Sequence, residues 1–343
     1  MKALVLTKYN QLDYIDVEQP ETGPDDVLIE VKACGICGSD LHGVDGSSGR
    51  RLPPIIMGHE ASGIVAEVGA NVTEWEVGNR VTFDSTVYCG TCHFCRRGEV
   101  NLCDHRQVLG VSCEEFRRDG AMAEYLVVPQ HIVYRMPEKL SFEHAAMVEP
   151  VSIALHAARR LPLSPNDTVV VVGAGMIGLL CVQVVRALGC GMVFAVDIDP
   201  RRLELAKQLG ADDAFSPNDT DVATEVMQRT GGRGADVAME AVGIDSTVSM
   251  AVDVVRKGGA LALVGNIAAH VDLSLQAVVT RELSLFGSCA SRAEYDICLD
   301  MIARGAIRLD ALTGAVAPLA EGAEWFRRLH DGKDGLMKVV LRP

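Results

Sequence analysis

The sequence predicts an α/β chain of two domains, an all-β unit followed by a doubly wound parallel sheet. Three observations carry this. Residues 1–150 hold short β-like runs cut by Gly, Pro and Asp. From 151 onward, strand-like and helix-like runs alternate, and the first of those strands opens into Gly173-Ala174-Gly175-Met176-Ile177-Gly178. A length of 343 residues fits two domains at roughly 100–200 residues each.

Taken in order, 27–31, 63–68 and 125–128 are apolar runs of strand length, with GPDD at 23–26 and GNR at 78–80 as turn punctuation. The second part then reads as strand 168–172, helix 176–188, strand 192–196, helix 201–209, strand 236–240, helix 246–256, strand 260–264 and strand 283–286. Strands alternating with helices of this length predict a parallel sheet. The stretch 293–343 starts helix-like and ends extended in LMKVVLRP, and periodicity leaves open which domain it joins. There is no internal repeat.

Composition removes several classes of function. Hydrophobic residues at 48% and charged ones at 23% are those of a globular chain. A net charge of −14 disfavours nucleic acid and anionic membrane surfaces as partners. The longest apolar run, 169–182, contains three glycines and falls short of the ~20 residues of a span. The opening MKALVLTKYN is broken by Lys8 before it reaches the length of a signal sequence, so a cytoplasmic location is expected. Eleven cysteines in so long a chain read as metal ligands rather than disulfide staples.

The glycine run has the context of a dinucleotide turn. Gly173 permits the tight turn, Gly175 lets a pyrophosphate approach the backbone, and Gly178 lets helix and strand pack closely. Asp197 ends the next strand, 19 residues after Gly178. A carboxylate there accepts the ribose hydroxyls of NAD and repels the 2′-phosphate of NADP, although Arg201 and Arg202 leave room for the latter. NAD is the expected cofactor.

Cys89-x2-Cys92-x2-Cys95-x7-Cys103 places four thiols within fifteen residues. Four thiolates satisfy zinc tetrahedrally and leave no open position, so this reads as a structural site. A second set, Cys37, His59, Glu60 and Glu149, is scattered. Each has a plain alternative: a core thiol, a buried histidine, a helix N-terminal acid. Cys34 and Cys37 also form a CxxC. Spacing alone does not join the four.

GICGSDLH (35–42), GHEASG (58–63), the quartet and VGAGMIGLL (172–180) in this order resemble the zinc-dependent medium-chain alcohol and polyol dehydrogenases over essentially the whole chain. The resemblance implies a GroES-like β-barrel catalytic domain at 1–150, to which 291–343 returns, and a Rossmann domain at 151–290. It implies one catalytic and one structural zinc, the catalytic ion held by Cys37 and His59, with Glu149 in the third protein position and Glu60 an exchangeable ligand. Glu149-Pro150 is similar to the sorbitol-type polyol branch, whereas SCASRAEY (288–295) departs from that branch's Arg–Tyr pair, with Arg292 offset. The implied reaction moves a hydride from a secondary alcohol, a sugar alcohol or small diol, to NAD and leaves a ketone. Zinc with an open position activates an alcohol that does not ionise by itself near neutral pH.

By the same resemblance Ser39 and His42 relay the released proton, Asp40 anchors the turn, and Ile177 packs near the nicotinamide. Arg202 lies near the adenosine ribose, and Val264, Gly265, Asn266, Ser288 and Cys289 line the nicotinamide pocket. A homo-oligomer is implied, a tetramer before a dimer. Threonine 3-dehydrogenase and butanediol dehydrogenase types are the alternatives within the class. Outside it stands a zinc-stabilised nucleotide-binding module without chemistry, which would have no use for a relay hydroxyl beside an open metal.

Overall fold

Two units make up the chain in the computed structural model, which describes residues 1–113, 116–332 and 335–343. The first comprises Met1–Glu149, Tyr295–Ala303 and Leu309–Pro343, the second Pro150–Glu294 and Arg304–Arg308. The border falls inside the helix Val148–Arg160. The returning segment thus begins at Tyr295, four residues after the expected 291, and Arg304–Arg308 stay with the second unit. Gln183 fixes that excursion, its amide donating to the Arg308 carbonyl at 3.2 Å while its oxygen accepts the Arg308 N–H at 2.7 Å.

In the first unit the strand Asp26–Gly35 is the organiser. One edge pairs antiparallel with Glu60–Val68. The other edge pairs with Tyr125–Pro129 along its first half and with Lys338–Arg342 at its end. Arg80–Phe83 and Val133–Arg135 extend the sheet on one side, Thr313–Pro318 on the other. Val27, Ile29 and Val31 alternate inward, as strand periodicity requires, and meet Val65, Val81, Phe83, Leu126 and Val128. Leu4 and Leu6, from a smaller sheet of Lys2–Lys8, Gln11–Asp16 and Ile55–Ile56, close the same core. Each such side chain stabilises by about 1.5–3 kcal/mol on burial. The extended end that periodicity could not assign is therefore a sheet strand of this unit, joined through Val340 opposite Gly35 and Leu341 opposite Cys34.

The second unit is a six-stranded parallel sheet. Its order is Asp213–Phe215, Met192–Val196, Thr168–Val172, Ala235–Glu240, Val255–Leu263, Ser284–Gly287. Numbered by sequence this is 3-2-1-4-5-6, the doubly wound order whose direction of winding reverses beside its first strand. Thr168–Val172 is buried along its whole length, which explains the unbroken valine run.

The helix expected over 246–256 ends at Val254, and the following strand begins at Val255 rather than at 260. Gly258 adopts φ +66°, so the strand passes through Lys257-Gly258-Gly259 with a register shift instead of stopping there. The strand Asp213–Phe215 and the helices Val222–Arg229, Leu275–Thr280 and Gly322–Asp331 lay outside the sequence reading. Among the described residues no helix is long and apolar enough to cross a membrane.

Candidate functional site

Three segments of the first unit converge on Cys37. Cys37 caps the short helix Gly38–Val44, its N–H donating to Asp40 Oδ2 at 3.2 Å. His59 follows Gly58, which sits at φ +95°, where a Cβ would press on Cys34 Sγ and Met122 Cγ at 2.7 Å. Glu60 opens the strand Glu60–Val68 opposite Gly35, and a Cβ on Gly35 would meet Glu60 Oε2 at 2.4 Å. Both glycines thus let the strands close on the site. One ligand atom each from Cys37, His59 and Glu60 lies within 4.8 Å of the others. Sulfur, imidazole and carboxylate are a donor set that suits zinc.

The carboxylate brought into this group is Glu60, while Glu149, expected in the third position, stands outside it. Glu149 remains within electrostatic reach. Desolvation pushes its carboxyl up to about 7; His59 and Lys338 pull it down, and Glu60 and Asp84 push it up.

Two buried cations that the sequence reading missed surround the group. Lys338 Nζ donates to Glu60 Oε1 at 2.8 Å, to Glu60 Oε2 at 2.7 Å and to the Ile36 carbonyl at 3.0 Å. Burial lowers its pKa, but Glu60 and Cys37 outweigh that and hold the ammonium charged. Arg51 Nη2 lies 2.9 Å from Asp40 Oδ1, and the same oxygen faces His59 Nδ1 at 3.4 Å. Asp40, expected only to anchor the turn, therefore also faces the imidazole. Burial raises its pKa, yet His59 and Arg51 bring it well below the usual carboxylate range. For His59, burial acts downward and is overcome by Asp40 and Cys37, which leave the imidazole well above its ordinary value. The negative field responsible is one that a divalent cation seeks.

Asp40 was visible in the GSD motif. Arg51 and Lys338 carried no signal, since a single basic residue in a loop or strand has no motif.

Ser39 and His42 are exposed on the Gly38–Val44 helix. Ser39 Oγ donates to Cys37 Sγ at 3.4 Å.

The quartet forms a separate group, with Cys89, Cys92, Cys95 and Cys103 offering sulfurs within 4.8 Å of one another. Strands Thr86–Val87 and Gln107–Val108 pair at the base of its loop. The N–H groups of Cys92 and Thr91 donate to Cys89 Sγ at 3.4 and 3.5 Å, and those of Cys89 and His105 to Cys103 Sγ at 3.3 Å. The backbone and hydroxyl of Thr91, followed by the Cys92 N–H, lower the Cys89 thiol to about 6, while desolvation pushes Cys95 up to about 12. Backbone donors aimed at sulfur favour thiolate, the form a metal binds.

In the second unit the turn after Thr168–Val172 meets the demands of a dinucleotide. Gly173 sits at φ +93°, and a Cβ on Gly178 would fall 1.7 Å from the Gly173 carbonyl oxygen. Above Gly175 there is open space, the approach a pyrophosphate needs. The helix Met176–Ala187 begins there with Ile177 partly buried. Asp197 Oδ2 accepts the Ala174 N–H at 2.8 Å, Oδ1 accepts the Asp199 N–H at 2.9 Å, and Arg202 lies 3.6 Å away.

The Val264 and Gly265 N–H groups both donate to the Glu240 carbonyl, and a Cβ on Gly265 would strike Gly243 N at 2.2 Å. Asn266 and Cys289 are exposed, and the buried Ser288 hydroxyl finds no partner among the described residues. Glu240, which the sequence reading did not single out, holds the adjoining turn through the Val242 and Gly243 N–H groups at 2.9 and 2.7 Å.

Comparison with known proteins places this geometry in context. Residues 23–138 match the alcohol dehydrogenase GroES-like domain and residues 177–304 the zinc-binding dehydrogenase model. The chain is 37% identical over 339 residues to a D-arabitol-phosphate dehydrogenase of Enterococcus avium, covering 97% of this chain and 94% of that one. It is 34% identical over 347 residues to a sorbitol dehydrogenase of Bacillus subtilis (strain 168), covering 100% and 97%. Among solved structures, a zinc-binding dehydrogenase from Sinorhizobium meliloti 1021 bound to NADP superposes with a TM-score of 0.92 at 32% identity, covering 100% of this chain and 99% of that one.

Proposed function

The chain belongs to the zinc-binding dehydrogenases with a GroES-like domain, and from that premise we propose that it oxidises a secondary alcohol of a sugar alcohol, sugar-alcohol phosphate or small diol to a ketone with NAD. The observation that carries the reading is the grouping of half-buried Cys37 with buried His59 and Glu60 within 4.8 Å, with the Ser39 hydroxyl beside it. Cys37, His59 and Glu60 would hold a catalytic zinc, with Glu149 in reserve, and the quartet a structural one. When bound, zinc supplies Lewis acidity at the substrate oxygen and the dinucleotide supplies the hydride acceptor.

The chain's own residues do the rest. Asp40 Oδ1 faces His59 Nδ1 at 3.4 Å, an ion-pair contact on a nitrogen with no hydrogen-bond partner among the described residues, and would orient the ring toward a metal held on its other nitrogen. Lys338 holds Glu60 by both oxygens and neutralises it, which keeps the group from quenching the site's acidity. Ser39 Oγ accepts the substrate hydroxyl's proton as its own O–H proton leaves toward His42, exposed on the same helix, which passes it to water. Asp197 supports NAD over NADP, because a buried carboxylate beside the glycine turn opposes a 2′-phosphate.

A homo-oligomer is part of the same reading. Ser284–Gly287 ends the sheet, and Leu275 and Val279 in the preceding helix are each about two-thirds exposed, at 67% and 65%. A cytoplasmic location accords with nine of the eleven cysteines being candidate metal ligands or buried thiols.

The test is NADH formation on a panel of free polyols, polyol phosphates, diols and threonine, repeated with NADP and after chelation. Turnover of one polyol class with NAD, abolished by zinc removal and restored by zinc, is the expected result. Silence on the whole panel from protein carrying one zinc per chain would overturn it in favour of a nucleotide-binding module. Sedimentation at micromolar concentration showing only monomer would overturn the oligomer.

A further inference from the structure

Arg51 is 3% exposed, and its one ion pair, with Asp40, leaves part of the buried guanidinium unmatched. Its Nε finds no acceptor among the described residues, and its Nη1 reaches only the neighbouring Arg50 carbonyl at 3.3 Å. A guanidinium held in this way is an expensive element of a core, since desolvation is incompletely offset. What it does reach is Nη2 to Asp40 Oδ1 at 2.9 Å, with Ser39 Oγ on the same nitrogen at 3.5 Å. Asp40 is fully buried, and the oxygen that Arg51 grips is the one that faces His59 Nδ1.

A second, independent feature shows that the route of this side chain is built into the helix carrying Ser39 and Asp40. A Cβ on Gly43 would lie 2.4 Å from Arg51 Cγ and 3.4 Å from its Cβ and Cδ. Gly43 has ordinary helical surroundings, where glycine is disfavoured relative to alanine. Its missing side chain is the space through which the arginine stem passes.

We infer that Arg51 is a positioning residue of the Cys37–His59 centre: threaded across Gly43, it fixes the Asp40 carboxylate that orients the His59 ring, and so sets how firmly the centre holds zinc. The inference rests on the zinc reading above. Lysine at this position keeps the charge but grips with a single point rather than a fork, so it substitutes in part.

The experiment uses the full-length, zinc-loaded chain and follows zinc release to a chromogenic chelator in wild type, R51M, R51K and G43A. C37S, which retains only the quartet ion, assigns the two release phases. R51M is expected to speed release from the Cys37–His59 phase about tenfold, the lower end of what outer-shell partners contribute to metal affinity. G43A, which displaces the stem, should do so to a lesser degree, and R51K should lie between wild type and R51M. The quartet phase should not change. Cobalt substituted at the Cys37–His59 centre should show a displaced visible band in R51M.

An unchanged phase with the cobalt band at its wild-type position would overturn the inference, as would both phases accelerating together with a lowered melting temperature. Should R51M fail to fold, G43A and R51K decide by the same criteria. Wild type that releases only the quartet ion would overturn the zinc reading itself, and this inference with it.

Discussion

The two groups of the first unit that could hold a metal ion are built on opposite plans. The quartet comes from one loop of fifteen residues, all sulfur, its thiolates stabilised by backbone N–H groups of the same loop. The Cys37–His59–Glu60 group comes from a helix start, a turn and a strand, mixes three donor types, and is framed by Asp40 of the same helix and by Arg51 and Lys338 from further segments. Local backbone donors make a closed, self-sufficient site. Long-range charged side chains make one whose properties the rest of the domain sets, which is what a reactive centre needs.

That contrast fails if damage to either group has the same consequence. The largest effect should come from Cys37→Ser or His59→Asn. Each should cut turnover about a thousandfold, the several kcal/mol a Lewis acid supplies, while one zinc per chain and the melting temperature persist. Metal analysis beside steady-state kinetics checks this. Cys92→Ser should do the reverse, lowering the melting temperature by about 10 °C while molecules that remain folded turn over normally. Calorimetry with active-site titration reads it, and a pure loss of kcat would contradict the division.

Lys338→Met sharpens the point. With Glu60 left buried and unpaired, the chelated protein should lose about 3–5 kcal/mol of stability. The zinc-loaded form should lose much less, because Glu60 then has the ion as a partner. Equal losses in denaturant melts of the two forms would sever Glu60 from the metal. The smallest of these effects belongs to Ser39→Ala, with kcat down about a hundredfold and KM nearly unchanged. A rise in KM alone would make Ser39 a binding group and not a proton carrier.

How far the sequence revealed all this depended on distance along the chain. The valine run, the glycine turn, Asp197 and the quartet are local devices, and their places in the fold were readable because each lies within one strand–turn–helix or one loop. Cys37, His59 and Glu60 were readable only through resemblance, since antiparallel pairing of Gly35 with Glu60 brings them together and no spacing encodes it. Lys338 and Arg51 were not readable, being single residues whose meaning is fixed by partners 278 and 11 positions away. The helix drawn too long at 246–256 failed for a related reason. Val254 and Val255 offer no local stop, and the parallel partner Ala235 decides where the strand begins.

The pairing of Lys338 with Glu60 also has a consequence in time. A chain emerges from the ribosome at about 5–20 residues per second. The quartet's two ends, 14 positions apart, are therefore both present within about 1–3 seconds of the first. Glu60 must wait for 278 further residues before Lys338 exists, an interval of about 14–56 seconds at the same rate. The loop of four sulfurs is complete while synthesis continues, whereas the Cys37 centre gains its compensating ammonium only when the strand Lys338–Arg342 has been made. Birth order alone thus ranks the two groups: the quartet is complete first, and the Cys37 centre is finished last.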